Sequence, residues 1–244
     1  MNNNFKKILF NIILILLIFI LIVKLFNLND KYENVFINKI EKFDNNSQEN
    51  TELTPHLAEN DLKIFYKYLN NSKYYFEYGS GGSTYEATKR KNIKYIYSVE
   101  SDKEWYNKLK SKITDQNKIK FIYVNLNTLP NTWGSPGKYS TFSDWVKYSR
   151  QILYLSKEKI SKIDMIFIDG RFRAACCLNC YSVINNNCKI LFDDFLNRKQ
   201  YHIVLKFFKI IEKTKDNRMV VLEKILNIEP PSKELINKYK KIKD

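Results

Sequence analysis

The chain has 244 residues, a formal net charge of +15 and a sequence pI near 9.4. This length suits one domain of moderate size with appendages, and the charge favours acidic partners such as anionic lipid, glycan or nucleic acid. The lysines are spread over the whole chain without a compact arginine-rich stripe, so nucleic acid is not an expected partner.

The N-terminal segment predicts a membrane anchor. Residues 8–26 are apolar except for Asn11 and Lys24, which is enough to cross a bilayer as one helix. Lys6 and Lys7 precede the run, so the positive-inside rule places the N-terminus in the cytoplasm and the rest of the chain in a lumenal or extracytoplasmic space. A cleaved signal peptide is the alternative, but no small-x-small cleavage pattern follows the run.

We therefore expect an uncleaved signal-anchor over residues 1–28, which binds membrane lipid through residues 8–26. A polar linker follows over residues 29–54, the predicted globular domain spans residues 55–226, and residues 227–244 form a Lys-rich helix or tail.

Short apolar runs alternate with helical patterns along the globular part. The predicted strands are residues 73–78, 93–99, 119–124, 163–168, 189–192 and 218–225. The predicted helices are residues 55–71, 85–91, 103–112, 142–156, 173–184, 199–213 and 232–243. This alternation is typical of an α/β fold, a Rossmann-like, doubly wound, mostly parallel sheet of six or seven strands with helices on both faces.

All four cysteines fall between Cys176 and Cys188. A disulfide framework spreads its cysteines to close loops, and the pair Cys177-x-x-Cys180 has no second pair to complete a zinc site. We therefore predict that the cysteines serve as small apolar side chains on a buried helix.

A glycine-rich turn follows the first predicted strand. Gly79, Gly81 and Gly82 are half of the glycines in the chain, and they lead directly into a helix. Glycine serves where the backbone needs positive φ or where a ligand must approach closely, and a helix N-terminus offers free N–H groups. No Lys-Ser/Thr follows these glycines, as a nucleoside-triphosphate loop would require. The preceding Glu77 would repel a pyrophosphate but would suit a cationic amino-acid group.

Carboxylates stand at the ends of four predicted strands, namely Glu77, Glu100, Asp169 and the pair Asp193-Asp194. Ligands of parallel sheets bind outside the carboxyl ends of the strands. Glu100 ends the second strand, where an acid can accept hydrogen bonds from ribose hydroxyls. Turn chemistry explains the acid at any one of these strand ends but is a poor explanation for all four ends.

The pattern Glu77-x-Gly79-x-Gly81, with Glu100 ending the next strand, resembles the class I S-adenosylmethionine-dependent methyltransferases over roughly Pro55 to Ile225. The resemblance implies that S-adenosylmethionine is the cofactor, with its methionine portion at the glycine loop and its ribose at Glu100. The implied cofactor-binding residues are Glu77, Tyr78, Gly79, Ser80, Gly81, Ser83, Thr84, Glu100 and Ser101.

Two features depart from the family pattern. Ser83 stands where a third glycine often occurs, and the chain after Ile225 is short for the usual closing β-hairpin, which would leave the sheet one strand short. The run Phe167–Arg173, the run Phe192–Tyr201 and the motif Trp133-Gly134-x-Pro136 look like a narrower branch of these enzymes. An anchor followed by such a domain also resembles plant Golgi enzymes that O-methylate cell-wall glucuronic acid.

A sulfonium methyl group is already activated, so the enzyme must supply alignment and a competent nucleophile. We expect Asp169, Asp194 and Arg171 to be catalytic, with a carboxylate as the base that deprotonates a hydroxylated acceptor such as a glycan. Alternatively, Asp169, Asp193 and Asp194 hold a divalent cation such as Mg²⁺, as in the family's metal-dependent O-methyltransferases. Arg171, Arg173 and Arg198 would suit an anionic group on the acceptor.

Two other functions remain open from the sequence. One is an NAD- or nucleotide-sugar-dependent Rossmann enzyme, for which the third glycine of Gly-x-Gly-x-x-Gly is replaced by Thr84. The other is a non-catalytic membrane-tethered binding module.

Overall fold

A seven-stranded sheet lies at the centre of the structure, a computed structural model that describes residues 53–216 and 218–241. The strands are β1 (Tyr74–Tyr78), β2 (Tyr95–Glu100), β3 (Ile119–Tyr123), β4 (Met165–Ile168), β5 (Lys189–Phe192), β6 (Phe208–Lys213) and β7 (Val220–Lys224). Their order in the sheet is β3-β2-β1-β4-β5-β7-β6. The first five strands are parallel, and β7 is antiparallel to both of its neighbours.

The α-helices of the described residues are α1 (Glu59–Asn70), α2 (Gly82–Lys89), α3 (Lys103–Lys112), α4 (Phe142–Ser149), α5 (Lys157–Lys162), α6 (Arg173–Cys180) and α7 (Lys233–Tyr239). Short 3-10 helices cover Gln116–Lys118, Gln151–Tyr154 and Lys199–Lys206. Asp102 caps α3 by accepting a hydrogen bond from the Trp105 N–H at 3.0 Å, which confirms the predicted start of that helix.

The central strands of the sheet are buried on both faces, because their side chains alternate between two core clusters. On one face, Tyr75 packs with Phe65 of α1, and on the other, Phe76 and Tyr78 pack in the same cluster as Cys176 of α6. The mostly parallel sheet with helices on both faces is therefore confirmed. The four cysteines are buried, as predicted, but only Cys176, Cys177 and Cys180 lie on the helix α6, and Cys188 directly precedes β5.

The expectation that the sheet would lack a strand was wrong. Residues 208–213, predicted to end a helix, form β6, which pairs with β7 in an antiparallel hairpin. The hairpin thus precedes Ile225, and only Lys199–Lys206 of the predicted helix is helical. Phe208 is buried while Lys209 and Ile211 are exposed, as expected for an edge strand with one covered face.

The C-terminal helix α7 packs against the core through Leu235, Ile236 and Tyr239. Residues 227–241 therefore belong to the same packed unit, which begins at Leu53. The predicted anchor over residues 8–26 lies outside the described residues, and none of the helices in the described part has the length and apolar character to span a bilayer.

Candidate functional site

Parallel pairing brings the predicted strand-end residues to one edge of the sheet. Tyr78 at the end of β1 is level with Val99 of β2 and with Ile168 of β4, and Ile168 is level with Phe192 of β5. The residues that follow these strands therefore meet at a single edge, at the point where the strand order reverses, with β2 and β3 on one side of β1 and β4 and β5 on the other.

Gly79 joins two strand-end loops by direct backbone contact. It has φ of +94°, and a Cβ atom at this position would lie 2.7 Å from the backbone nitrogen of Gly170, which follows β4. The Gly79 N–H donates to the Val99 carbonyl at 2.9 Å. Only glycine satisfies both the left-handed conformation and the close approach.

Glu77 fixes the turn that follows β1. Its side chain is fully buried, and its Oε2 accepts hydrogen bonds from the hydroxyls of Tyr75 and Ser83 at 2.8 Å each. Its Oε1 accepts a hydrogen bond from the Thr84 hydroxyl, which in turn accepts from the Gly81 N–H at 2.9 Å. Burial raises the pKa of Glu77, and these hydroxyl donors oppose that rise. The carboxylate holds the first turn of α2 in place and presents no oxygen to solvent.

The two adjacent glycines at the start of α2 have different surroundings. A Cβ atom on Gly81 would meet nothing within 4 Å, whereas one on Gly82 would lie 2.1 Å from the carbonyl oxygen of Thr54. Gly81 therefore borders open space that a ligand can fill. Gly82 instead accommodates the chain's own segment as it enters the domain.

Glu100 ends β2 beside this open space. Its Oε1 accepts from the backbone N–H groups of Ser101 and Asp102 at 2.6 and 2.7 Å, and its Oε2 accepts from the Ser80 N–H at 3.1 Å. Burial raises the pKa of Glu100 to about 7, although three backbone N–H groups favour its charged form. The carboxylate thus links the glycine loop to the loop after β2.

The remaining predicted cofactor residues serve the architecture of the loop. Ser80 shares a 2.6 Å hydrogen bond with Ser98 of β2, and its carbonyl accepts from the Trp105 indole at 2.8 Å. Tyr78 points into the core, where its hydroxyl donates to the Ser149 carbonyl at 3.0 Å. Only backbone atoms of Tyr78 can therefore face the loop.

A loop formed by residues 125–140, here called the Trp133 loop, covers Glu100. The Ser101 hydroxyl donates to the Gly134 carbonyl at 3.0 Å, and Gly134 has φ of +72°. Arg171, which follows β4, donates from its Nε to the Trp133 carbonyl at 3.0 Å. The predicted catalytic Arg171 therefore holds this loop against the site.

Arg173 neutralises the carboxylates that follow β4 and β5. Its Nη2 lies 2.9 Å from Asp169, and its Nη1 lies 3.5 Å from Asp193 and 3.4 Å from Asp194. The Nη1 also donates to the Asp193 carbonyl at 2.8 Å, and the Nε donates to the Gly170 carbonyl at 3.0 Å. The Arg173 side chain is only 7% exposed, so it holds the carboxylates in position from the buried side of the site and is not available to bind an acceptor.

Arg218 and Asp61 join the same cluster, and the sequence reasoning missed both. The Arg218 Nε lies 2.9 Å from Asp194, 3.4 Å from Asp193 and 3.6 Å from Asp61. Asp61 is fully buried, and burial is the main reason that its pKa is raised. The sequence did carry a signal, because Asp61 lies on the same helical face as the core residues Ile64, Phe65 and Leu69.

These carboxylates do not fit a metal ion. Arg173 and Arg218 already pair with Asp169, Asp193 and Asp194, and Arg198 lies 2.8 Å from Asp194. Within residues 53–216 and 218–241, no three His, Cys, Asp or Glu side chains are arranged to hold a metal. The structure gives the predicted Mg²⁺ ligands arginine partners instead.

Asp169 is the most exposed carboxylate of this cluster, with 32% of its side chain exposed, whereas Asp194 is 21% exposed and both of its oxygens face arginines. The partial burial of Asp169 and the neighbouring charges of Asp193 and Asp194 raise its pKa, and Arg173 opposes that rise. Arg198 donates to the Tyr201 hydroxyl at 3.1 Å in addition to its ion pair with Asp194. Asp169 is therefore an accessible, weakly acidic carboxyl group that is surrounded by ion pairs between arginines and aspartates.

Replacing Glu100 with glutamine should remove part of the pH dependence of folding stability. Because the folded-state pKa of Glu100 is raised, the contribution of this carboxyl group to wild-type stability is greatest below the ordinary value near 4.5 and is lost as the pH rises through about 7. The full effect is about 3 kcal/mol. Urea unfolding at pH 5.5 and 8.5 should give a smaller difference for Glu100→Gln than for the wild type. Equal differences for the two proteins would contradict the assignment.

Comparison with solved structures identifies the fold. A methyltransferase-like protein from Silicibacter pomeroyi DSS-3 superposes with a TM-score of 0.67 and 21% identity, covering 78% of this chain and 97% of that chain. Two others are a ribosomal protein L11 methylase from Lactobacillus delbrueckii subsp. bulgaricus (TM-score 0.45, 12% identity, 70% and 82% covered) and the m1A22 tRNA methyltransferase of Bacillus subtilis (0.44, 10%, 69% and 67%). No protein-family model and no curated protein sequence matches the chain.

The chain thus has the fold of the class I S-adenosylmethionine-dependent methyltransferases. The resemblance carried by Glu77, the glycine loop and Glu100 is confirmed at the level of the fold.

Proposed function

We propose that the chain is a membrane-anchored S-adenosylmethionine-dependent methyltransferase that O-methylates a hydroxylated acceptor such as a glycan. The observation that carries this proposal is the open space beside the Gly81 backbone, next to the Glu100 carboxylate at the end of β2. The fold supports the reaction class, since its solved example from Silicibacter pomeroyi is described as methyltransferase-like.

The chain's own residues suit this cofactor. The backbone at Gly81 can approach the methionine portion closely, because no side chain intervenes. Glu100 Oε2 has one backbone donor, so it retains capacity to accept a hydrogen bond from a ribose hydroxyl. Glu77 contributes indirectly by fixing the turn through Ser83 and Thr84.

S-adenosylmethionine supplies an activated methyl group when it is bound, so the chain must align the acceptor and take up its proton. Asp169 is placed for this role, since it follows β4, is partly exposed and has a pKa raised towards neutrality. Arg173 holds the carboxylate of Asp169 in position at 2.9 Å. Asp194 and Arg171 act as positioning residues, because Asp194 contacts Arg173 at 3.4 Å and Arg171 holds the Trp133 loop.

The anchor remains part of the proposal and is supported by the sequence of residues 8–26 alone. The positive residues before this run favour a cytoplasmic N-terminus and a lumenal or extracytoplasmic domain. The surplus of lysine over the whole chain is compatible with an acceptor that carries an anionic group.

Calorimetric titration of the full-length chain with S-adenosylhomocysteine tests the cofactor. We expect saturable binding that is weakened about ten- to hundredfold by Glu100→Gln, because a charge-assisted hydrogen bond to the ribose is lost. The matched control is Glu158→Gln on α5, an exposed carboxylate that should leave the affinity unchanged. Binding of NAD in place of S-adenosylhomocysteine would favour the nicotinamide alternative, and binding of neither ligand would favour the non-catalytic module.

A further inference from the structure

Exposed apolar side chains are concentrated in the Trp133 loop. Leu129, Trp133 and Tyr139 are 64%, 73% and 72% exposed, which makes them the most exposed large hydrophobic side chains of the described residues. Single exposed apolar residues are ordinary, but three on one loop within eleven positions, here called the apolar patch of the loop, point to a partner for this loop.

The loop that carries this patch is braced by hydrogen bonds. The Gly137 N–H donates to the Leu126 carbonyl at 3.0 Å, and the Asn127 side chain donates to the Tyr139 carbonyl at 3.4 Å. Arg171 and Ser101 hold the middle of the loop, because they donate hydrogen bonds to the Trp133 and Gly134 carbonyls respectively. The apolar side chains therefore point outward from a fixed backbone.

The chain enters the domain beside this patch. Thr54 lies against Gly82, and the ring of His56 lies 5.3 Å from the ring of Trp133. The 52 residues that precede this entry include the apolar run of residues 8–26. The predicted linker of residues 29–54 would keep a membrane that holds residues 8–26 at high effective concentration near the domain.

The charge of the loop suits a lipid surface. Residues 125–140 contain Lys138 and no Asp or Glu, and the Lys138 ammonium lies 4.7 Å from the ring centre of Tyr139. Trp and Tyr favour the interfacial region of a bilayer, because there the apolar ring is buried while the polar atom remains hydrated. Lysine is attracted to anionic head groups.

We propose that Leu129, Trp133 and Tyr139 insert into the interfacial region of an anionic lipid bilayer. This inference rests on the proposed membrane anchor, and it deepens the proposed function by identifying the acceptor as a membrane-borne molecule. The Trp133 loop covers Glu100 and is tied to Arg171, so the contact turns the carboxyl edge of the sheet towards the bilayer.

Fluorescent labelling of the full-length chain in phosphatidylcholine–phosphatidylserine vesicles tests the contact. All four native cysteines are buried, so Tyr139→Cys gives a single accessible thiol for an environment-sensitive fluorophore. The matched control is Ile211→Cys on the edge strand β6, where the native side chain is 41% exposed. Leu129→Cys provides a second site within the loop.

We expect labels at positions 129 and 139 to shift to shorter emission wavelength and to be quenched by nitroxide-bearing lipid, whereas the label at 211 is quenched by aqueous iodide. Equal iodide quenching at 139 and 211 would overturn the proposal. So would an emission shift that depends on protein concentration in lipid-free detergent, because a second copy of the chain would then cover the loop. S-adenosylhomocysteine binding, measured on the same samples, reports separately on the proposed enzyme.

Discussion

Replacing Arg173 with methionine should lower the free energy of unfolding by about 3–5 kcal/mol, because Asp169 loses its arginine and the buried Asp193 keeps only the 3.4 Å contact with Arg218. Arg173 is the contact shared by Asp169, Asp193 and Asp194, and Asp193 is 1% exposed. Methionine retains much of the side-chain length, so the loss is mainly electrostatic. Since the destabilisation comes from unneutralised negative charge, it should shrink as the pH is lowered and Asp169, whose pKa is raised, takes up a proton.

Arg198→Met is the matched control for this substitution. Arg198 is 36% exposed and forms its ion pair with Asp194 near the surface, so its removal should cost no more than about 1 kcal/mol. Urea denaturation followed by circular dichroism at neutral and acidic pH measures both variants. Equal stability losses for Arg173→Met and Arg198→Met would show that Arg173 does not organise the cluster.

Gly79→Ala should destabilise the domain by at least about 2 kcal/mol and should abolish cofactor binding as well. Alanine at φ of +94° is strained, and its Cβ would lie 2.7 Å from the Gly170 backbone nitrogen, which is part of a rigid strand-end loop. Relief of this contact requires the loops after β1 and β4 to separate. Thermal unfolding and titration with S-adenosylhomocysteine measure the two effects.

Gly81→Ala separates folding from binding. A Cβ at Gly81 meets nothing within 4 Å and the backbone there is extended, so the free energy of unfolding should change by no more than about 0.5 kcal/mol. The added methyl group would nevertheless occupy space proposed for the cofactor, so affinity should fall about tenfold or more. An unchanged affinity would show that the ligand does not bind against Gly81.

The parallel part of the sheet could be predicted because its strands are short apolar runs with polar ends. The run from Lys189 to Phe192 was predicted with the bounds that the structure shows. β6 could not be predicted in the same way, since Phe208–Lys213 directly continues a helical pattern and no glycine or proline separates them. Its strand conformation comes from pairing with β7, which is a tertiary effect.

In the candidate site, too, some features could be predicted from the sequence and others could not. Glu100 and Gly81 could be placed from the sequence, since motif spacing fixes backbone positions relative to a strand end. The partners of side chains could not be placed, because Arg173 reaches Asp193 and Asp194 across twenty positions of sequence. For this reason the sequence could not show that arginines pair with the carboxylates that were predicted to bind a metal. Arg218 lies far along the chain, and no local sequence pattern indicated its contact with them.

The contact between Thr54 and Gly82 has a mechanical consequence. The chain enters the domain against the first turn of α2, so tension transmitted through the preceding linker acts first on the glycine loop. A pull that lifts Thr54 would loosen the glycine loop, which is proposed to bind the cofactor, before it disturbs the sheet. Ligand affinity in this protein would then report on force applied at its N-terminal side.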